Sequence, residues 1–234
     1  MATIPENLHL TEQRIASACA KAGRSAQSVT LLVVSKTFPA SDVRAAHAAG
    51  ARRFGENYVQ EGLDKIANLT DIRSGVEWHL IGPLQSNKTK PVAEAFDWVH
   101  SVDRLKIAQR LSEQRPEHLP PLNVCLQVNI SGEASKSGLA PADVAEVAHV
   151  VAKLPRLRLR GLMAVPEPAA EFETQRIPHR ALADLMAQLQ GQDLTLDTLS
   201  IGMSADLEAA IAEGATIVRV GSAIFGMRPK PQGA

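Results

Sequence analysis

Residues 31–55 read LLVVSKTFPASDVRAAHAAGARRFG, and the alternation in this stretch sets the pattern for the rest of the chain. Four apolar residues, Leu31 to Val34, make a short buried strand that runs on into Ser35 and Lys36. Pro39 closes the strand, the amphipathic SDVRAAHAAG (41–50) follows as a helix ending on glycine, and a second run, ARRFG (51–55), begins at once. Strand, helix and strand in so short a span make one βα unit of a parallel sheet.

The rhythm continues to the end of the chain. Eight strand-like runs recur: LLVVSK (31–36), ARRFG (51–55), EWHLIG (77–82), WVHSV (98–102), LNVCLQVNI (122–130), LRLRGLMAV (157–165), TLSIGM (198–203) and TIVRVG (216–221). Amphipathic segments such as VDRLKIAQRLSEQ (102–114), PADVAEVAHVVAKL (141–154) and SADLEAAIAEG (204–214) lie between them, several opening on Ser or Asp as N-caps and two closing on Gly. Eight strands each followed by a helix predict an α/β protein, a single (β/α)8 TIM barrel. An extra N-terminal helix from about Pro5, with Leu8, Ile15 and Cys19 near one face, precedes it. After the eighth run only AIFGMRPKPQGA (223–234) remains, so residues 1–234 are expected to form one domain. A doubly wound open sheet has the same periodicity, because strand order is not written in it.

Composition narrows the function. The chain has 234 residues, 45% of them hydrophobic, enough for a full core. Lys plus Arg and Asp plus Glu balance at 25 each, and aromatic residues make up only 3%, which argues against nucleic acid as a partner. Cys19 and Cys125 stand far apart with no CxxC or histidine cluster, so neither a disulfide framework nor a metal site is suggested, and a cytoplasmic location is expected. No stretch of eighteen consecutive apolar residues occurs, and no basic start leads into an apolar run; a membrane span and a signal peptide are not expected.

On a barrel, chemistry sits at the C-terminal ends of the strands. If Leu32 and Val34 face the interior, period-two alternation sends Lys36 the same way. Asn57, His79, Asn129 and Arg219 occupy comparable places after or within later strands. Each has a plainer reading: a strand-end Lys or Arg as an ion-pair partner, a lone His as a hydrogen-bonded core residue. The last two loops carry a second signal. Gly202 and Ser204 stand at one strand-to-helix junction and Gly221 and Ser222 at the next, where exposed N–H groups and small hydroxyls bind anions. The plainer alternative makes Gly221 a tight turn and Ser204 an N-cap. A lysine across the barrel mouth from a phosphate cradle is the arrangement a phosphorylated aldehyde needs when bound as a Schiff base.

The segments VSKTFPA, FGENYVQE, EWHLIGPLQSNK, SKSGL, RLRGLMAVPEP, SIGMSADLEAAIAEGAT and VRVGSAIFG, spread over about residues 5–228, together resemble the pyridoxal 5′-phosphate homeostasis proteins, the YggS/PROSC family. The resemblance implies a single-domain barrel of the alanine racemase type (fold type III PLP-binding) that carries pyridoxal 5′-phosphate (PLP) as a Schiff base, has no established catalytic turnover and acts in intracellular vitamin B6 homeostasis. It further implies that Lys36 is the Schiff-base lysine, and that Gly202, Met203 and Ser204 with Gly221 and Ser222 bind the phosphate. By the same resemblance Arg219 is expected to face the pyridine nitrogen, Asn57 to lie beside the cofactor, and His79 and Met163 to line the pocket. Phe38, where a lysine is common, Ala205, where an aspartate is common, and Ser222, where threonine is usual, depart from the pattern.

The amine of Lys36 must be neutral to attack an aldehyde, and desolvation beside cationic groups favours that form. A guanidinium facing the ring nitrogen donates a hydrogen bond without readily sharing a proton, which leaves a weaker electron sink than a carboxylate partner would. The alternative is an alanine racemase-like PLP enzyme acting on amino acids. That family draws a second base, a tyrosine, from another domain across a dimer, whereas this chain has the single tyrosine Tyr58. A third reading, a sugar-phosphate isomerase or aldolase reacting directly with Lys36, uses the same barrel but not the wider resemblance. The expected partners are therefore PLP and apo-PLP enzymes that receive it, with the chain a monomer and Lys136 in SGEASKSGL a second lysine that assists transfer.

Overall fold

The computed structural model describes residues 2–132 and 137–226. In chain order its elements are α1 (Ile4–Lys21), β1 (Thr30–Val34), α2 (Ala40–Ala48), β2 (Arg53–Glu56), α3 (Val59–Asn68), β3 (Glu77–Leu80), α4 (Thr89–Ala95), β4 (Trp98–Val102), α5 (Leu105–Gln114), β5 (Leu122–Gln127), α6 (Val144–Val151), β6 (Leu157–Met163), α7 (Phe172–Gln190), β7 (Thr198–Ser200), α8 (Leu207–Ala212), β8 (Ile217–Val220) and α9 (Ser222–Phe225). The strands pair in parallel in the order β1 to β8, and β8 pairs back onto β1 with Leu32 opposite Arg219, which closes the barrel. Closure excludes the doubly wound sheet.

Alternate residues of each strand face the helices. Val33, Phe54, Trp78, Val99, Val124 and Val218 are buried with helix residues such as Val43, Val92, Ile107, Leu111 and Ile211 in one continuous apolar layer. The residues between them fill the barrel. Most barrels pack this space with branched aliphatics; here Trp98, Cys125 and Met163 form a small apolar cluster apart from the main core, and beside it lie the buried polar side chains of His79, His100, Ser200 and Arg219. Burial pushes the Cys125 thiol up to about 12, so it stays protonated and inert.

Local chemistry accounts for the element ends. Thr3 and Glu6 form a reciprocal capping box ahead of α1, and Leu8, Thr11, Ile15, Ala18 and Cys19 are the face it buries. Gly50 and Gly214 follow α2 and α8 at φ values of 110° and 98°, the left-handed stop that favours glycine. The expected Ser and Asp side-chain caps of the later helices are not made: α2 starts behind Pro39, and neither Asp143 nor Asp206 caps its helix through its carboxylate. Several strands are also shorter than their apolar runs. β1 stops at Val34, β5 at Gln127 and β6 at Met163; beyond β1 and β5 one further bond forms, Ser35 to Gly55 and Val128 to Met163, and the next amide after β5, Asn129, turns away to the Leu139 carbonyl. Lys36 and Asn129 therefore lie in the loops beyond β1 and β5, not in the strands. No helix among the described residues is long and apolar enough to cross a membrane.

Candidate functional site

Lys36 sits two residues past β1, half-buried, in a turn whose next residue, Thr37, has a φ of 68°. A left-handed threonine costs energy and persists where its surroundings fix it. They do so on both flanks of the lysine. On one side the Ser35 hydroxyl donates to Glu56 Oε1 at 2.6 Å, and the Ser35 carbonyl accepts from the Lys65 ammonium at 2.7 Å. On the other, the Thr37 amide donates to Glu61 Oε1 at 2.6 Å. Lys65 ties the two sides together, donating to Glu56 at 2.7 Å and to Glu61 at 2.6 Å. Lys65 and Glu56 are almost fully buried between α3 and the barrel wall. Burial pushes the Glu56 carboxyl up from its ordinary value, against the pull of Lys65 and Ser35. Phe38, the departure from the family pattern, is buried and stacks on Phe225 of α9 with ring centroids 4.8 Å apart. The lysine turn is thereby joined to the loop after β8.

The two glycine loops, after β7 and β8, are shaped by close approach. Gly202 has a φ of 89°, and a Cβ there would stand 2.6 Å from the Ala210 methyl. At Gly221 a Cβ would stand 2.8 Å from the Val34 carbonyl, so only glycine lets the end of β8 close on the strand that leads to Lys36. Ile224 and Phe225 donate to the Gly221 carbonyl; the amides of Ser222 and Ala223, in the first turn of α9, have no intrahelical acceptor. Ser204 is not an N-cap, since α8 begins at Leu207.

Residues not singled out in the sequence hold these loops. Asp206 Oδ1 accepts from the Met203 amide at 2.7 Å and Oδ2 lies 3.0 Å from His179 Nε2 on α7. Arg14 of α1 donates to the Ser204 carbonyl at 2.9 Å and grips Glu208 with two nitrogens, at 2.7 and 2.6 Å. Asn7 donates to the Ile224 carbonyl at 3.0 Å. The added N-terminal helix thus braces both loops. Burial works against the Asp206 carboxylate, but His179 and the Met203 amide win, and its pKa lies below the ordinary value of 3.8. A carboxylate depressed in the folded state contributes stability that is present above its unfolded pKa and is lost as pH falls through the folded one. Melting curves between pH 5 and pH 3 should therefore fall less steeply for Asp206→Asn than for the parent protein, by about 2–4 °C, the size of one kcal/mol in a chain this long. Equal slopes would remove Asp206 from the loop's anchorage.

Arg219 is 4% exposed. It donates from Nη1 to the carbonyl and hydroxyl oxygens of Ser200, the hydroxyl at 2.9 Å, and from Nη2 to the Ala164 carbonyl at 2.8 Å. None of these described hydrogen bonds goes to a carboxylate, so the ion-pair alternative is not what holds it. Burial lowers the guanidinium to about 10, which leaves it charged at neutral pH. Its Nε hydrogen and one Nη2 hydrogen lie outside these bonds and are free to meet an acceptor.

The other expected residues divide between two levels. Asn57 borders a cavity of about 320 Å3 at the C-terminal mouth together with Ile81, Gly82, Gln127, Asn129 and Val165, and its Oδ1 is buried with no partner among the described residues. Met163 is buried in the interior cluster. His79 lies deeper and borders a different cavity at the N-terminal end of the barrel. Tyr58 is 58% exposed at the start of α3. Lys136 falls outside the described residues.

Comparison with known proteins gives a consistent picture. The family "Alanine racemase, N-terminal domain" matches residues 10–229. The pyridoxal phosphate homeostasis protein of Pseudomonas aeruginosa is 63% identical, over 97% of this chain and 97% of that one. The protein of the same name from Escherichia coli K12 is 55% identical, over 97% of this chain and 98% of its own. Among solved structures, PipY of Synechococcus elongatus PCC7942 with PLP bound superposes with a TM-score of 0.80 at 40% identity, covering 91% of this chain and 100% of that one.

Proposed function

From the premise that the chain belongs to the alanine racemase N-terminal domain family and, within it, to the pyridoxal phosphate homeostasis proteins, we propose that it holds PLP covalently and reversibly on Lys36. It takes part in PLP homeostasis, as a binder of the cofactor rather than a catalyst of turnover. When bound, PLP supplies an aldehyde that condenses with a primary amine and a pyridine ring whose nitrogen governs how strongly it draws electrons.

The residues present fit such a group. Lys36 offers the amine from a turn fixed on both flanks. Gly202 and Ser204 with Gly221 and Ser222 offer amides and hydroxyls for a phosphate, in loops that a Cβ at either glycine would fill, while the Met203 amide fixes its loop by donating to Asp206. Asn57 brings a buried, unpartnered side-chain oxygen to the mouth. The observation that carries the functional reading is Arg219, a buried guanidinium bonded to Ser200 and Ala164 with hydrogens to spare. A donor that keeps its proton leaves a ring nitrogen unprotonated and restrains carbanion chemistry. The only tyrosine, Tyr58, exposed just ahead of α3, supports no second base opposite Lys36. The chain thereby buffers a reactive aldehyde, acts as a monomer, and releases PLP to apo-enzymes that require it.

The test is a visible spectrum of protein prepared with PLP, before and after borohydride, followed by peptide mass analysis. A chromophore that reduces to a pyridoxyl group on Lys36 is expected, with no racemisation of added amino acids. Protein that neither contains nor takes up PLP would overturn the reading.

A further inference from the structure

Arg219 does not stand alone below the mouth; it begins a chain of hydrogen bonds that crosses the barrel interior. Ser200 Oγ lies 2.9 Å from Arg219 Nη1 and 2.7 Å from His100 Nδ1. His100 Nε2 lies 2.9 Å from His79 Nδ1. β4 and β7, which carry His100 and Ser200, are three strands apart around the sheet, so their contact runs through the centre. All four side chains are at most 4% exposed.

The donor inventory gives this chain one direction. Arginine only donates, so Ser200 Oγ accepts from it, and the buried Ser200 proton has His100 Nδ1 as its acceptor. His100 then carries its proton on Nε2 and donates to His79 Nδ1. His79 carries its own on Nε2, which is buried, has no hydrogen-bond partner among the described residues, and borders a cavity of about 320 Å3 at the N-terminal end of the barrel. Glu77 Oε2 is the nearest carboxylate oxygen, 3.7 Å away. Arg53, Arg160 and Asp197 complete the charged lining of that cavity. Trp98 stacks on the His79 ring at 5.2 Å between centroids, nearly parallel at 10°.

We propose that Ser200, His100 and His79 are positioning residues for Arg219: a one-directional relay that sets the guanidinium against the cofactor's ring nitrogen and links it to the polar cavity at the opposite end of the barrel. The proposal rests on the PLP reading above. Both rings are neutral in this arrangement. Burial lowers the pKa of His100, with His79 and Arg219 acting in the same direction. Burial also lowers that of His79, against Glu77 and Asp97 and with Arg53. Glu77, beside the far end of the relay, accepts from Arg53 Nε at 2.8 Å.

Two measurements test it. In the full chain without PLP, nitrogen NMR of the histidine side chains at pH 7.5 should show both His79 and His100 as neutral Nε2–H tautomers; a proton on His100 Nδ1, or an imidazolium at that pH, overturns the relay. In protein loaded with PLP, Ser200→Ala and His100→Leu should shift the visible band and speed PLP release roughly ten-fold, one hydrogen bond's worth, whereas Ser200→Thr, which keeps the hydroxyl, should restore both. If His100→Leu fails to fold, the Ser200 pair decides. An unchanged band and release rate in Ser200→Ala overturns the positioning role, whatever the tautomers. Absence of any PLP chromophore in the parent protein defeats the functional reading and the positioning role with it, while the tautomer result still reports on the hydrogen-bond chain by itself.

Discussion

Lys65→Met should destabilise the protein by about 3–5 kcal/mol and strip most of the borohydride-trapped pyridoxyl from Lys36, although residue 65 lies on the outer side of the barrel wall. The ammonium is buried and donates to the Ser35 carbonyl, Glu56 and Glu61. Removing one partner of a buried ion pair costs this much because the other is left uncompensated. Glu56, fully buried with its carboxyl already pushed up by that burial, would then lose the Lys65 ammonium that pulls it back down. A carboxyl whose folded pKa lies above its unfolded value costs nothing at low pH, and the cost grows as pH rises past the ordinary value of 4.5. The loss measured by denaturant unfolding should therefore be larger at pH 8 than at pH 5. Adding Glu56→Leu removes the stranded charge and should recover at least half of the stability, since apolar replacement of a buried pair is often neutral. The clamp on Ser35 would still be gone, so the pyridoxyl label should stay low in the double variant. Full recovery of labelling there would show that Lys65 matters for stability and not for the setting of Lys36.

Lys36→Ala is expected to abolish the reducible chromophore and the pyridoxyl-labelled peptide while leaving the fold intact, because the residue lies beyond β1 and outside the apolar layer. Affinity for PLP should fall at least roughly 100-fold, about 2.8 kcal/mol, without vanishing. The residual binding should be competed by inorganic phosphate and should be absent for pyridoxal, which lacks the phosphate, because Gly202 to Ser204 and Gly221 to Ser222 remain. An equal yield of reducible cofactor in the variant would move the amine to another lysine. Residual binding insensitive to phosphate would move the phosphate away from these loops.

Much of the barrel could be read from the apolar runs, since parallel strands covered by helices carry near-continuous hydrophobic sequence. Phe54, Trp78 and Val99 are buried where the runs place them, and Gly50 and Gly214 end their helices as expected. Strand ends were less legible. Apolar character persists through Val128 and Ala164 although β5 and β6 end at Gln127 and Met163, because burial continues into loops that pack on the barrel. Lys36, Gly202, Gly221 and Arg219 stand out as polar or conformationally free residues at strand ends. Their supports do not. Glu56 and Lys65 look like solvated charges of an amphipathic segment, and only the fold shows that they are buried together under Ser35. His100 and Ser200 lie in runs whose apolar neighbours mask them; what joins them is barrel closure, which brings residues 100 positions apart within 2.7 Å.

The bracing of both loops by α1 sets a timetable for biosynthesis. Arg14 is bonded to Glu208, 194 residues downstream, and Asn7 to the Ile224 carbonyl, 217 residues away. The first helix thus leaves the ribosome long before the segments it packs against exist. At typical elongation rates that interval is roughly 10–40 s. During it α1, with its own capping box, carries an apolar face that has no partner. β1 waits likewise for β8. The lysine turn and the glycine loops after β7 and β8 meet only when the last strand is delivered, so under the proposed function a nascent or prematurely truncated chain would expose Lys36 without the loops proposed to cradle its phosphate.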